Sequence, residues 1–416
     1  MSINRKILPK ENVSIPQIFK KRPYEDQINF DKLRLYRLNR VKKELEKNDI
    51  GACLLFDPVN VRYATDSRNM SIFCMHNLHR YCFVPVNGPV ILYEFFKCNH
   101  INNHLKLIDE IRPSIIWDYF GSGNQADQQV VRWGNEINDL VAKYCGKEKK
   151  LAIDVCNSEG IFTLNNLGIN IIEGKKILEQ ARKIKSKQEL LCMKAALEVA
   201  DKGIQLMRKK LKSGMSEEEL WAILHKTNIE NGGEWIETRL LSSGPRTNPW
   251  MNECSSRVIQ KKDIVSFDTD MVGPYGYCAD ISRTFVEGNV FSKKQRELYS
   301  IALEQINYNK EIIKLNMTFE EFIDKAWVLP EPYYNNRYSC ISHGIGMCDE
   351  WPFILYPEDN KKNGGIDGMF EENMTITLES YIGASGDNEG VKLEQQYLVK
   401  QNGLELLSFN PLEVFS

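Results

Sequence analysis

From Leu33 to Lys47 apolar and charged residues recur at helical spacing, and the apolar run Gly51-Ala52-Cys53-Leu54-Leu55-Phe56 follows at once. That pattern predicts a helix feeding a buried strand. Apolar runs at Tyr81–Val86, Val90–Phe96 and Leu151–Asp154 predict further strands, and the periodic stretch Val130–Tyr144 predicts a helix between them. Strands alternating with helices in this way make an α/β unit that ends near residue 180.

The second half announces its helices by their first turns. A Ser or Thr followed three residues later by Glu or Gln satisfies free amides at both ends of the exchange. Ser186/Glu189, Ser216/Glu219, Ser292/Gln295 and Thr318/Glu321 all fit. Strand pairs lie between these starts, so this half reads as α+β. The change of pattern falls at about residues 175–186, where Ala181-Arg182-Lys183-Ile184-Lys185-Ser186 enters the first capped helix. Two domains are expected, 1–180 and 181–416. Residues 1–30 are polar and without a clear period, so the first 32 residues are expected to form an arm lying over another surface, such as that of a second subunit.

Composition narrows the function classes. At 416 residues the chain is long enough for two separate cores. Its 54 Lys and Arg balance 56 Asp and Glu, which argues against the basic face that nucleic acid requires. No apolar run approaches the roughly 18–20 residues of a membrane helix, and the N-terminus has no stretch of signal-peptide type. The 11 cysteines include no CxxC pair and several sit in apolar runs, as Cys53 and Cys82 do. Reduced thiols and a cytoplasmic location are the simplest expectation.

Candidate chemistry is concentrated after residue 260. The segment Asp263–Val272 carries Asp268 and Asp270 two positions apart, so the period of an extended strand sends both carboxylates to one face, with Thr269 opposite. Gly273-Pro274-Tyr275-Gly276 supplies a turn, and Tyr277–Val286 returns with Asp280 facing the first pair. His343 stands in Ser342-His343-Gly344-Ile345-Gly346-Met347, where two glycines permit close backbone approach. Glu379 closes the alternating run Met374–Glu379, and Glu394 sits in Val391-Lys392-Leu393-Glu394-Gln395. Singly, a histidine of this kind is usually a packing residue and each glutamate a solvated one. Jointly, five carboxylates and one imidazole cannot stay charged in a folded interior without cations. Two divalent ions answer that charge, which points to a dinuclear metalloenzyme.

These motifs resemble the creatinase/prolidase/methionine aminopeptidase superfamily, the pita-bread fold, over residues 185–410. Residues 33–175 resemble the creatinase-type N-terminal domain. The Asp-rich hairpin with its return Gly276-Tyr277-Cys278-Ala279-Asp280-Ile281-Ser282-Arg283-Thr284, the His-Gly-x-Gly loop and the two late glutamates carry the likeness. The chain departs from the peptidases at three places. Thr269 stands where their first hairpin aspartate is expected, flanked by Asp268 and Asp270. Pro249-Trp250 replaces a Pro-His, and Asp349-Glu350 replaces a His-Glu.

The lost histidines serve peptide cleavage, where an oxyanion must be stabilised and an amine protonated. Expelling a neutral sulfide from a sulfonium needs no such proton, only a base for the carbon acid and a Lewis acid at the neighbouring carboxylate. The altered pattern resembles the DddP-type dimethylsulfoniopropionate lyases, which form dimethyl sulfide and acrylate. That resemblance implies metal ligands at Asp268, Asp270, Asp280, His343, Glu379 and Glu394, a general base at Asp349, and an active-site role for Tyr338. It also implies a homodimer. Aromatic faces attract cations, so Tyr338, Trp351 and Trp250 are candidate sulfonium contacts, with Phe73 or Tyr63 closing the pocket. A shell of five oxygens and one nitrogen favours iron or manganese, with iron favoured by the resemblance and zinc, cobalt or nickel as substitutes. The rival readings are an Xaa-Pro dipeptidase or aminopeptidase, a creatinase-like amidinohydrolase, and a non-catalytic binding module of the same fold. The full ligand set opposes the last, and Trp250 and Asp349 oppose the first.

Overall fold

The structure is a computed structural model that describes residues 22–412 and residue 414. The predicted arm therefore lies largely outside the described residues. Its described end packs on its own chain: the rings of Tyr24 and Phe30 lie 6.3 and 5.3 Å from that of Tyr275.

The first half is built on one mixed sheet. Its strands are β1 (Ala52–Leu55), β2 (Tyr81–Pro85), β3 (Ile91–Glu94), β4 (Glu110–Pro113), β5 (Lys150–Ile153) and β6 (Asn170–Glu173), in the order β4-β3-β2-β1-β5-β6. β1 is antiparallel to β2 and parallel to β5, and its side chains are buried on both faces. This explains why it reads as a continuous apolar run rather than an alternating one. The helices Phe30–Lys47 and Ala126–Tyr144 begin three or four residues before the stretches their periodicity marks, because polar residues, Asp31-Lys32 and Asp127-Gln128-Gln129, interrupt the apolar pattern in their first turns.

The second half holds three further sheets. β7 (Trp235–Ile236), β10 (Met271–Val272) and β11 (Cys278–Ala279) form one in the order β11-β10-β7. β8 (Leu241–Ser243), β9 (Ile264–Asp268) and β12 (Ser282–Val286) form another in the order β12-β9-β8. β13 (Ser342–Ile345), β14 (Asp349–Ile354), β15 (Thr375–Ile382), β16 (Val391–Lys400) and β17 (Gly403–Leu406) form the third, ordered β14-β13-β15-β16-β17. All four expected capping boxes form, at Ser186, Ser216, Ser292 and Thr318. The helix Lys187–Lys210 packs on Glu217–Glu230, and Lys293–Ile312 lies across β15 and β16. Helices thus shield the outer faces of the sheets, leaving the inner faces to meet around the acidic residues. The halves share one apolar core, in which Leu38, Val41, Cys53 and Val61 join Cys192, Met193, Phe267, Ile345 and Met347. Among the described residues, no helix is long and apolar enough to cross a membrane.

Candidate metal centre

The acidic hairpin differs from the uninterrupted pair that its alternation predicts. β9 pairs with β12 as far as Asp268↔Ser282, and β10 pairs with β11 beyond it, so the ladder breaks at Thr269–Asp270 on one side and Asp280–Ile281 on the other. Asp270 takes a left-handed backbone, φ 36°, a conformation that a short polar side chain tolerates better than most. A kink rather than the strand period therefore brings Asp268 and Asp270 together. Thr269 pins the kink. Its hydroxyl donates to Ala279 O (2.7 Å) and accepts from Ile281 N (2.9 Å).

His343 comes from β13, Glu379 from β15 and Glu394 from β16, where Glu379 and Glu394 are direct cross-strand neighbours. His343 Nε2 lies 3.3 Å from Glu379 Oε1, 3.6 Å from Glu394 Oε1 and 3.5 Å from Asp280 Oδ2. Ligand-type atoms gather within 4.8 Å of one another in three overlapping triples: Asp280/His343/Glu394, Asp268/Glu379/Glu394 and Asp268/Asp270/Asp280. The structure thus brings all six predicted ligands into one cluster, buried except for the half-buried Asp270. Their chemistry suits divalent cations on a direct observation. Asp268 Oδ1, Asp280 Oδ1 and Glu394 Oε1 are buried acceptors without a hydrogen-bond donor, a condition a folded interior rarely tolerates.

Electrostatics point the same way. Burial and the neighbouring Glu394 charge push the Glu379 carboxyl up to about 8. Burial, together with Asp268 for Asp270 and with Glu394 for Asp280, lifts those two carboxyls well above the usual carboxylate range. Burial opposes charge on Glu394 too, but Lys392 and His343 outweigh it and hold that group below its ordinary value. Without a cation, most of these acids are therefore driven toward protonation.

Asp349 opens β14 at the rim of the cluster. Its side chain is 58% exposed, with Oδ1 3.8 Å from His343 Nδ1. Partial desolvation raises its pKa, against the pull of His343. The next residue, Glu350, is buried and bound by Lys185 Nζ (2.6 Å), Arg182 Nε (3.1 Å) and Met347 N (3.2 Å). Arg182 also reaches Asn60, and Trp351 N donates to Glu179 Oε2 (2.9 Å). The junction between the halves thereby braces the backbone that presents Asp349.

The candidate aromatic contacts separate on inspection. Tyr338 lies against the cluster, but its ring faces the ammonium of Lys392 at 4.4 Å, and Trp250, 7% exposed, faces the same ammonium at 5.9 Å and Tyr381 at 6.0 Å. Trp351 packs on Phe319 (5.1 Å) beneath Lys183. Tyr63 is 1% exposed, donates to Ala181 O (3.0 Å) and lies under Arg37, so it belongs to the shared core rather than to a pocket wall. Phe73 packs edge-on against His79 and Phe120 and tilted against Phe95 in the first half, and none of these ring contacts is with a residue of the cluster.

Three neighbours escaped the sequence reading. Lys392 bonds Asp268 Oδ2 (2.9 Å), Glu379 Oε2 (2.5 Å) and Ser282 Oγ (2.7 Å) from full burial. It stands two residues before Glu394 on β16, so the strand period already places both on one face. Thr238 donates to Asp270 Oδ2 at 2.5 Å. Glu237, beside it, is pushed up to about 7 by partial desolvation and the Asp349 charge. No local pattern marks the last two.

Helix-backed sheets closing over an internal carboxylate and histidine cluster define the pita-bread metalloenzymes. The chain belongs to the metallopeptidase family M24, which residues 191–401 match. It is 37% identical over 392 residues to the dimethylsulfoniopropionate lyase DddP of Roseovarius nubinhibens, covering 92% of this chain and 87% of that protein. It is 34% identical to the lyase of the same name from Roseobacter denitrificans, covering 92% and 86%. The fold is that of the Xaa-Pro dipeptidase from Bacillus anthracis, with TM-score 0.72 at 20% identity over 92% of this chain and 99% of that one.

Proposed function

We propose that the chain is a metal-dependent carbon–sulfur lyase that splits dimethylsulfoniopropionate into dimethyl sulfide and acrylate. The observation that carries this reading is Asp349: a half-exposed carboxylate at the rim of the metal cluster, beside His343, where the peptidases carry histidine. Similarity to two dimethylsulfoniopropionate lyases over 92% of the chain supports it.

Asp268, Asp270, Asp280, His343, Glu379 and Glu394 would hold two divalent ions, which when bound supply Lewis acidity toward the substrate carboxylate. Asp349 then removes a proton from the carbon next to that carboxylate. The electron pair of the broken C–H bond becomes the carbon–carbon double bond, and the sulfide leaves with the electrons of the C–S bond. Its departure as a neutral molecule removes the need for an acid at the leaving group, so the missing peptidase histidines are not required. Asp349 returns its proton to water through its exposed side.

Iron or manganese suits a shell of five oxygens and one nitrogen. Residues 1–180 and 181–416 act as two domains in this reading. The cysteines, mostly buried as free thiols, fit a cytoplasmic enzyme. A homodimer is part of this reading, and Phe96, Tyr119 and Phe120 of the first half, each about three-quarters exposed, offer apolar surface for it.

The test is headspace detection of dimethyl sulfide from purified protein and substrate, with and without chelator, beside proline release from Xaa-Pro dipeptides. Chelator-sensitive sulfide release without proline release is expected. Proline release alone would move the assignment to the Xaa-Pro dipeptidases, whose fold this chain shares.

A further inference from the structure

Five carboxylates line the cluster, and two divalent ions answer four of their charges. Lys392 holds the remaining positive charge, and its geometry assigns it a defined place. Its Nζ lies 2.9 Å from Asp268 Oδ2, 2.5 Å from Glu379 Oε2 and 3.7 Å from Glu394 Oε2. These are the three residues of one ligand-type triple, Asp268/Glu379/Glu394. The opposite oxygens of the same groups face elsewhere. Glu379 Oε1 and Glu394 Oε1 turn to His343 Nε2 at 3.3 and 3.6 Å, and Asp268 Oδ1 has no donor. Each carboxylate thus gives one oxygen to the lysine and keeps the other for the remaining cluster.

The far side of the ammonium is closed. Tyr338 and Trp250 present their rings to it, and Ser282 Oγ accepts its third hydrogen bond at 2.7 Å. Lys392 is fully buried, so it exchanges with nothing in solvent. The two triples left without a resident cation, Asp280/His343/Glu394 and Asp268/Asp270/Asp280, share Asp280.

We infer that Lys392 is a built-in third cation: it occupies one side of the Asp268/Glu379/Glu394 triple, leaves metal to the oxygens of these groups that face away from it together with Asp270, Asp280 and His343, and completes neutrality of the loaded site. The inference rests on the metal centre proposed above. It also reassigns the aromatic faces of Tyr338 and Trp250 from a substrate sulfonium to the protein's own ammonium.

The test uses the full chain stripped by chelator and titrated with Mn²⁺, read by calorimetry and thermal unfolding. Wild type is expected to take two Mn²⁺ per chain. Lys392→Met, similar in length but uncharged, should melt lower when metal-free, bind Mn²⁺ at least about tenfold more tightly, and show a larger rise in melting temperature on loading. Unit charges about 4 Å apart at a protein-like dielectric interact strongly enough for a change of that size. Lys392→Arg, which keeps the charge, should behave as wild type. Equal or weaker Mn²⁺ affinity in Lys392→Met, with an unchanged rise on loading, would overturn the inference while leaving the metal centre intact. Wild-type protein that takes up no Mn²⁺ would overturn the centre itself. Should Lys392→Met fail to fold without metal, adding Asp268→Asn restores the charge balance and is expected to recover folding; failure to recover it would refute charge as the role of Lys392.

Discussion

Glu379 and Glu394 face each other directly across β15 and β16, two like charges in a fully buried cross-strand pair. Such a pair is destabilising by itself, and its neighbours Asp268, Asp270 and Asp280 add to the repulsion. The strands keep this register because His343 and Lys392 lie on either side of the pair, and because cations suit what remains.

Metal removal should therefore make stability depend on pH in an unusual direction. Glu379 rises to about 8, and Asp268, Asp270 and Asp280 are also raised, each with burial as the leading cause. Between their unfolded values near 4 and these raised values, the folded chain holds more protons than the unfolded one, so stability falls as pH rises. The melting temperature of metal-free protein is expected to drop from about pH 5 to pH 8, and saturating Mn²⁺ or Fe²⁺ should abolish most of that slope. A flat profile for the metal-free form would contradict the cluster electrostatics.

Asp349→Asn should reduce turnover by roughly 10²–10⁴, the usual contribution of a positioned base, while metal content by elemental analysis stays at the wild-type level. A variant that loses metal in proportion to activity would make Asp349 a ligand rather than a base.

Thr238→Val removes the 2.5 Å hydrogen bond to Asp270 Oδ2. Partners that orient a ligand typically influence affinity by about 10–100-fold. Competition with a fluorescent chelator should show metal binding weakened by that order, with little change in the far-ultraviolet circular dichroism.

Glu350→Ala leaves Arg182 and Lys185, nearly fully buried, without their shared carboxylate. Breaking one side of a buried ion cluster costs about 3–5 kcal/mol. Denaturant unfolding should report a loss of that size, and Glu350→Gln, which keeps hydrogen-bonding capacity, should lose less.

Much of this architecture was legible in the chain itself. The apolar runs at Ala52–Leu55 and Tyr81–Pro85 became core strands, and four Ser or Thr starts became capped helices, because these signals depend on neighbours within a few residues. The six candidate ligands were legible as residue types and spacings, and the structure draws them together. The aromatic candidates fared differently. Tyr63, Trp250 and Phe73 carry the right chemistry for a cation pocket, yet their rings already pack on partners within the protein: Arg37 for Tyr63, Tyr381 and Lys392 for Trp250, and His79, Phe95 and Phe120 for Phe73.

Local pattern alone determined which stretches become helix or strand, where the four capped helices start, and that the late acids require positive charge. Tertiary structure alone decided that a left-handed Asp270 breaks the hairpin, that Lys392 inserts among Asp268, Glu379 and Glu394, and that Arg182 and Lys185 brace Glu350 behind Asp349. The reason is one of range. Helix caps and strand alternation are set by bonds spanning a few residues, whereas the partners of Lys392 and Glu350 stand up to 168 positions away and meet only when separate sheets pack.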